Sequence, residues 1–176
     1  MGHHRGQHTL GHRPTDGPIG GDGILAGVIA LVTAGAGFLL AVLWFDLMFD
    51  VQGLGHHEVE LPDETLAVIA GYYRRVTTTA RPMNRLIAAV MVGTLAAIVV
   101  EIVNGDIPRW AAWVSLALAA APVMLAALHT VPSAVRLGAR EDTVARQSAL
   151  ARSICREHLL CLASITALLA LQLSHA

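Results

Sequence analysis

A chain of 176 residues suffices for one domain, but 55% hydrophobic and only 14% charged residues, with a mean hydropathy of +0.58, place it outside the range of ordinary soluble domains. The formal net charge of −1 provides no surplus of cations to displace counterions, so no nucleic-acid partner is expected. The composition is that of a membrane protein, and the lipid bilayer is its first expected partner.

Residues 1–22 form a His-rich tail, expected to be disordered, in which MGHHRGQHTLGH carries four histidines that could alternatively hold a divalent metal weakly. No small-residue cleavage pattern follows a short apolar core, so the first apolar segment is expected to stay as a helix. That segment opens the membrane domain, residues 23–175, with spans at about 24–46, 86–103, 110–131 and 157–174. Their lengths bracket the roughly 20 residues that cross about 30 Å of hydrocarbon.

The first span, uncharged from Ile24 to Phe45, ends in Asp46 and Asp50. Four residues apart, they share a helical face at the end where the helix dipole is already negative. The following loop holds His56 and His57 in HHEVE, without the i, i+4 histidine pair of a zinc-protease motif. Pro62, Asp63 and Glu64 then signal a helix start, and Leu66, Ile69, Ala70, Tyr73 and Val76 recur at helical spacing up to Thr77–Thr79. An amphipathic helix lying on the membrane face is predicted there.

Small residues should mark the packed faces: Ala26, Ala30 and Ala34, with Thr33, Gly37 and Ala41 beside them, and Ala89, Gly93 and Ala97 in the second span. Four residues further along the second stripe stands Glu101, an intramembrane carboxylate expected to face inward. In the third span Trp110 and Trp113 suit the interface, and Pro122 should kink the helix near Leu118. Asp142 can cap a last helix beginning near Thr143 that runs without Gly or Pro into the fourth span. Cys155 and Cys161, six apart on it, cannot easily bridge and read as reduced core thiols. The fold class is therefore all-α: a four-transmembrane-helix bundle with an amphipathic loop helix and an extended last helix.

Arginines orient it. The two long loops carry Arg74, Arg75, Arg81, Arg85, Arg136, Arg140, Arg146, Arg152 and Arg156, against Arg5, Arg13 and Arg109 on the other side. The positive-inside rule puts the long loops in the cytoplasm and both termini outside.

Ionisable groups at membrane depth cost about 2.5 to 3.5 kcal/mol at the centre, which makes them functional candidates. Asp46, Asp50, His129, Glu157 and His158 gather near the cytoplasmic ends, with Arg156 beside them; Glu101 is alone near the other end. His129 and His158 at similar heights are what bis-histidine haem ligation requires, and Asp46, His129 and His158, with His56 or His57, are the O/N donors of a transition-metal site. Carboxylates with arginines could instead line a proton or ion path. The bland alternative pairs Asp46 and Asp50 with Arg74, Arg75, Arg85, Arg136 or Arg156 as an anchor at the headgroups.

The four spans, a first loop carrying YYRRVTTTARPMNRL, and HTVPSAVRLG leading to a long last helix resemble the small bacterial membrane proteins related to anthrone oxygenases, over about the last 110 residues. That family places paired asparagines after a Pro where this chain has Pro132, Ser133, Ala134 and Val135, so no family catalytic residue is carried over. The resemblance implies a four-helix fold in the bacterial inner membrane and an oxygenase or redox activity. The roles in competition are a small binding or accessory protein, associated with a second copy or another membrane protein; an oxygenase or redox protein with a metal or haem near the cytoplasmic interface; and a transporter subunit.

Overall fold

The structure, a computed structural model, describes residues 21–55, 59–105 and 107–175. Residues 1–20 of the His-rich tail, with His56 and His57, lie outside the described residues, and Gly21 and Asp22, expected in the tail, open the first helix. Every regular element among those described is helical: α1 (Gly21–Asp50), a 3-10 turn (Val51–Gly53), α2 (Asp63–Thr78), α3 (Arg81–Asn104), α4 (Arg109–Leu125), a π turn (Ala126–Thr130), α5 (Val131–Ala139) and α6 (Val144–Leu173). Four stretches are long and apolar enough to cross a membrane: Leu25–Gly53, Arg81–Asn104, Arg109–Ala139 and Val144–Leu173.

Each span is longer than its apolar run, because a helix does not stop where hydropathy falls. Asp46 and Asp50 are consequently helical residues of α1, and not a boundary beyond it. The last helix is a single element of 30 residues. At about 1.5 Å per residue it exceeds the hydrocarbon thickness and projects beyond it. Its cap is Thr143, whose hydroxyl accepts from the Arg146 amide, while the expected cap, Asp142, accepts instead from Arg136 at 2.9 Å. Pro122 does not end α4; the irregularity appears as the π turn that follows.

The spans close in a cycle: α1 packs against α3 and α6, and α4 against the same two. Their shared core is Val32, Ala36 and Leu39 of α1 with Ile98 of α3, Ala119 of α4 and Leu168 of α6. This corrects the small-residue stripe of α1. Ala26, Ala30, Ala34, Gly37 and Ala41 are exposed, and Ile29, Val32, Gly35, Ala36 and Leu39 are buried. In a helix apolar all round, small residues recur on several faces, so their spacing does not select one. The close approach falls at Gly35, where a Cβ would lie 2.2 Å from Thr94 Oγ1 of α3. On α3 the expected stripe is buried only from Ala97 to Glu101; Gly93 is half-buried and Ala89 exposed.

A second core sits at one end, where Leu66, Ile69 and Tyr73 of α2 meet Leu137 of α5 and Leu150 and Ile154 of α6. The apolar face of α2, expected to rest on lipid, is thus covered by protein. Burial against packed side chains satisfies it more fully than a membrane interface does, and Gly138 lets α5 come close enough to provide them.

Candidate functional site

Asp46 and Asp50 are adjacent on one face of α1, and α2 meets that face with the neighbouring residues Tyr72 and Tyr73. The Tyr72 hydroxyl donates to Asp46 Oδ1, and the Tyr73 hydroxyl donates to Asp50 Oδ1 at 2.6 Å. Successive side chains of a helix diverge, so each phenol reaches its own carboxylate. Phe49 stacks on Tyr72 with centroids 4.2 Å apart, and the two tyrosines contact edge to face. Burial, reinforced by the facing carboxylates, pushes both phenols well above the ordinary phenol range and keeps them protonated donors.

Asp50 is fully buried, and its second oxygen, Oδ2, accepts from His158 Nδ1 of α6 at 2.6 Å. A carboxylate on Nδ1 fixes the ring orientation and leaves Nε2 as the nitrogen for other chemistry. Nε2 has no hydrogen-bond partner among the described residues.

The arginine anchor is therefore corrected. Arg74 and Arg75 follow the tyrosines on α2 but point outward and are exposed, as is Arg156 on α6. A neutral phenol satisfies a buried carboxylate without the desolvation that a guanidinium would require. Arginines do pair at the periphery, Arg140 with Asp63 at 2.5 Å and Arg136 with Asp142.

One residue before His158, Glu157 is buried in a separate cluster. Its Oε1 accepts from Ser153 at 2.8 Å and meets His129 Nδ1 at 2.6 Å, while Oε2 accepts from Thr130 at 2.7 Å. His129 and Thr130 both belong to the π turn, which rotates less per residue than an α-helix, so two neighbours can reach one carboxylate. The His129 side chain is 55% exposed.

Four of these residues, Asp46, Tyr73, Thr130 and His158, border a cavity of about 420 Å³ lined by residues of all six helices. Most of its wall is apolar, from Leu39, Leu43, Ile87, Met91 and Ile165 among others, and Cys161 also lines it. Its polar wall is formed by Asp46, Tyr73, His158, Thr130 and, towards the mouth of α3, Asn84.

The metal and haem expectations fare differently from the cavity. His129 lies on the exposed side of the α4–α5 junction and outside the cavity that His158 lines, and their Nδ1 atoms are held by different carboxylates. The ligand set Asp46, His129 and His158 does not converge: among the described residues no three His, Cys, Asp or Glu side chains are placed to hold a metal ion. The physical reason is that Glu157 and Asp50 draw the two imidazoles apart. Cys155 and Cys161 are free and buried.

Glu101 belongs to neither cluster. It is buried at the other end, where Gln172 Nε2 donates to its Oε2 at 3.0 Å and also reaches Ser115 at 3.3 Å. A smaller cavity of about 270 Å³ adjoins it, bordered by Arg109 and Trp113.

Sequence reasoning placed Asp46, Asp50 and His158 together but missed Tyr72, Thr130 and Ser153. The i, i+4 spacing of Ser153 and Glu157 was a readable signal; the role of Thr130 was not, because it depends on the π turn. Compared with protein-family models, curated proteins and solved structures, the chain matches none.

Proposed function

We propose that the chain is a multi-pass membrane protein that binds a small lipophilic molecule with one hydrogen-bonding end. The observation that carries this reading is the apolar cavity of about 420 Å³ with His158 and Asp46 in its wall. That volume lies within the roughly 300 to 1,000 Å³ of small-molecule sites, whose walls are apolar with a few placed polar groups. A phenol or other weak acid fits best: its ring occupies the apolar volume, and its hydroxyl donates to His158 Nε2, the nitrogen that Asp50 leaves available. Neither the transporter nor the accessory role has a comparable supporting observation.

The test uses 2-naphthol, whose fluorescence reports its surroundings and ionisation, with the full chain in lipid nanodiscs and empty nanodiscs as the control. Saturable binding beyond lipid partitioning is expected. Loss of a hydrogen bond to a charged or polarised partner is worth about 1.5 to 3 kcal/mol, so His158→Leu should weaken binding about 10- to 100-fold. Non-saturable uptake identical to that of empty nanodiscs would sink the proposal.

Turnover of the bound molecule is the second reading, favoured by the Asp50–His158 pair, in which a carboxylate orients an imidazole as a proton acceptor. An oxygenase or redox activity, as the resemblance implies, is one turnover that such a pair would serve.

Orientation follows from charge. Nine arginines lie at the end that holds α2, α5 and the start of α6, which supports placing that end in the cytoplasm, as in a bacterial inner membrane, and the termini outside. Reporter fusions after Ala139 and after His175 should then report opposite sides, cytoplasmic for the first. A periplasmic signal at residue 139 would reverse the assignment.

A further inference from the structure

Glu157 is a buried carboxylate that the binding reading does not use. It lies between two groups of different exposure: Thr130, whose residue lines the cavity, and His129, whose side chain is 55% exposed. About 20 residues separate His129 from the start of α4 at Arg109, a helical rise near 30 Å, so with Arg109 at one face of the hydrocarbon His129 would stand near the other, within reach of water. Thr130 donates to Glu157 at 2.7 Å and Ser153 donates to it at 2.8 Å, while His129 Nδ1 and Glu157 Oε1 share a hydrogen bond at 2.6 Å, so both carboxylate oxygens are engaged.

We infer that Glu157, held between Thr130 and His129, relays protons between the cavity and the aqueous boundary. Outward transfer begins when Thr130 passes its hydroxyl proton to Glu157 Oε2 and takes another from a donor in the cavity, which is left as its conjugate base. Rotation of the neutral carboxyl about Cγ–Cδ presents that proton to His129. With its ring in the Nε2–H tautomer, His129 Nδ1 accepts it, Glu157 returns to the carboxylate, the imidazolium releases its Nε2 proton to water, and exchange with water returns the ring to the Nε2–H form for the next transfer. One proton leaves the cavity and one appears in the medium; inward transfer reverses the steps. Ser153 keeps Glu157 in place and takes no part in the transfer.

The π turn is the structural reason that this arrangement exists. Without it Thr130 and His129 would diverge too far to share one carboxylate. The other titratable groups near Glu157 are His158 and Cys161 on its own helix, and Asp50 of α1, which holds His158. Because His158 and Thr130 line the same cavity, the relay gives His158 a route for exchanging protons with the medium.

This inference deepens the binding reading by giving the cavity a proton supply, yet its test needs no ligand. Full-length protein labelled with nitrogen-15 histidine in nanodiscs reports, by NMR, the rate at which the His158 ring proton exchanges with water. Glu157→Gln and Thr130→Val should slow that exchange at least about 10-fold, and Glu157→Asp should recover part of it. His129→Ala alters an exposed side chain and should fold; its slowed exchange should be restored by added imidazole, which replaces the missing surface base. Unchanged exchange in all the variants overturns the relay, as does slowing in His129→Ala that imidazole does not restore. Failure of 2-naphthol to bind, with exchange still dependent on Glu157, would remove the binding reading and leave the relay standing.

Discussion

Asp50→Ala is expected to destabilise the protein by about 3 to 5 kcal/mol, the cost of removing one partner from a buried ionic or charge-assisted pair. The magnitude follows from what Asp50 holds. Its side chain is fully buried, one oxygen accepts from Tyr73 and the other from His158, and those donors come from α2 and α6. Truncation strands both donors away from water and unlinks three helices. Asp50→Asn should cost less, about 1 to 3 kcal/mol, because the amide oxygen still accepts from one donor while its NH2 faces the other. The triple variant Asp50→Leu, Tyr73→Phe, His158→Leu leaves no polar group to satisfy and should regain much of the stability lost in Asp50→Ala.

Thermal unfolding in nanodiscs separates these cases, and 2-naphthol binding adds a second axis. The triple variant should be stable yet fail to bind, because the imidazole is gone. Wild-type unfolding of Asp50→Ala would show that Asp50 does not join α1, α2 and α6 as described.

The pairing of Asp50 with Tyr73 and His158 also marks where sequence reasoning reaches its limit. Spans and the long last helix were legible because hydropathy and the absence of Gly and Pro act locally along the chain. The start of α2 was legible for the same reason, in Pro62, Asp63 and Glu64. That Asp46, Asp50 and His158 share a level followed from counting along adjacent spans. What held them did not follow, because charge complementarity favours arginine while burial favours a neutral donor, and burial is a property of the packed state. Tyr73 stood among the apolar residues of the α2 pattern, and the geometry shows it serving both roles: its ring joins the core and its hydroxyl meets Asp50.

The misread face of α1 has a related cause. Ala26, Ala30 and Ala34 satisfy the small-residue spacing, but α3 approaches at Gly35, one position further round, where Thr94 fills the space a side chain would need. A spacing rule records that helices can approach there and carries no information about the shape of the neighbour. The cavity was illegible for the same reason: its wall draws on all six helices, and no local window contains more than a few of its residues.

Gly138→Val is expected to release α2, with an overpacking cost at the upper end of about 1 to 3 kcal/mol. A Cβ at Gly138 would lie 2.9 Å from the Arg74 amide nitrogen and 3.1 Å from its Cα, so the obstacle is backbone and cannot move aside as a side-chain end can. The crossing is adjacent to Tyr73. Displacing α2 there pulls the Tyr73 hydroxyl from Asp50, opens the core formed with Leu66, Ile69 and Leu137, and loosens the cavity wall. Arg74 and Arg75 are exposed but helical, and a protease must unwind α2 to cut after them. Tryptic cleavage at these arginines should therefore accelerate in Gly138→Val, together with weaker binding of 2-naphthol. Gly71 provides the matched control on α2: a Cβ there meets nothing within 4 Å, and Gly71→Ala should be neutral or stabilising by up to about 1 kcal/mol through helix propensity. Equal cleavage of Gly138→Val and the wild type would mean that α2 does not dock on α5 through Gly138. Faster cleavage in Gly138→Val but not in Gly71→Ala ties the integrity of the carboxylate site to one contact between two helices outside the core of the spans.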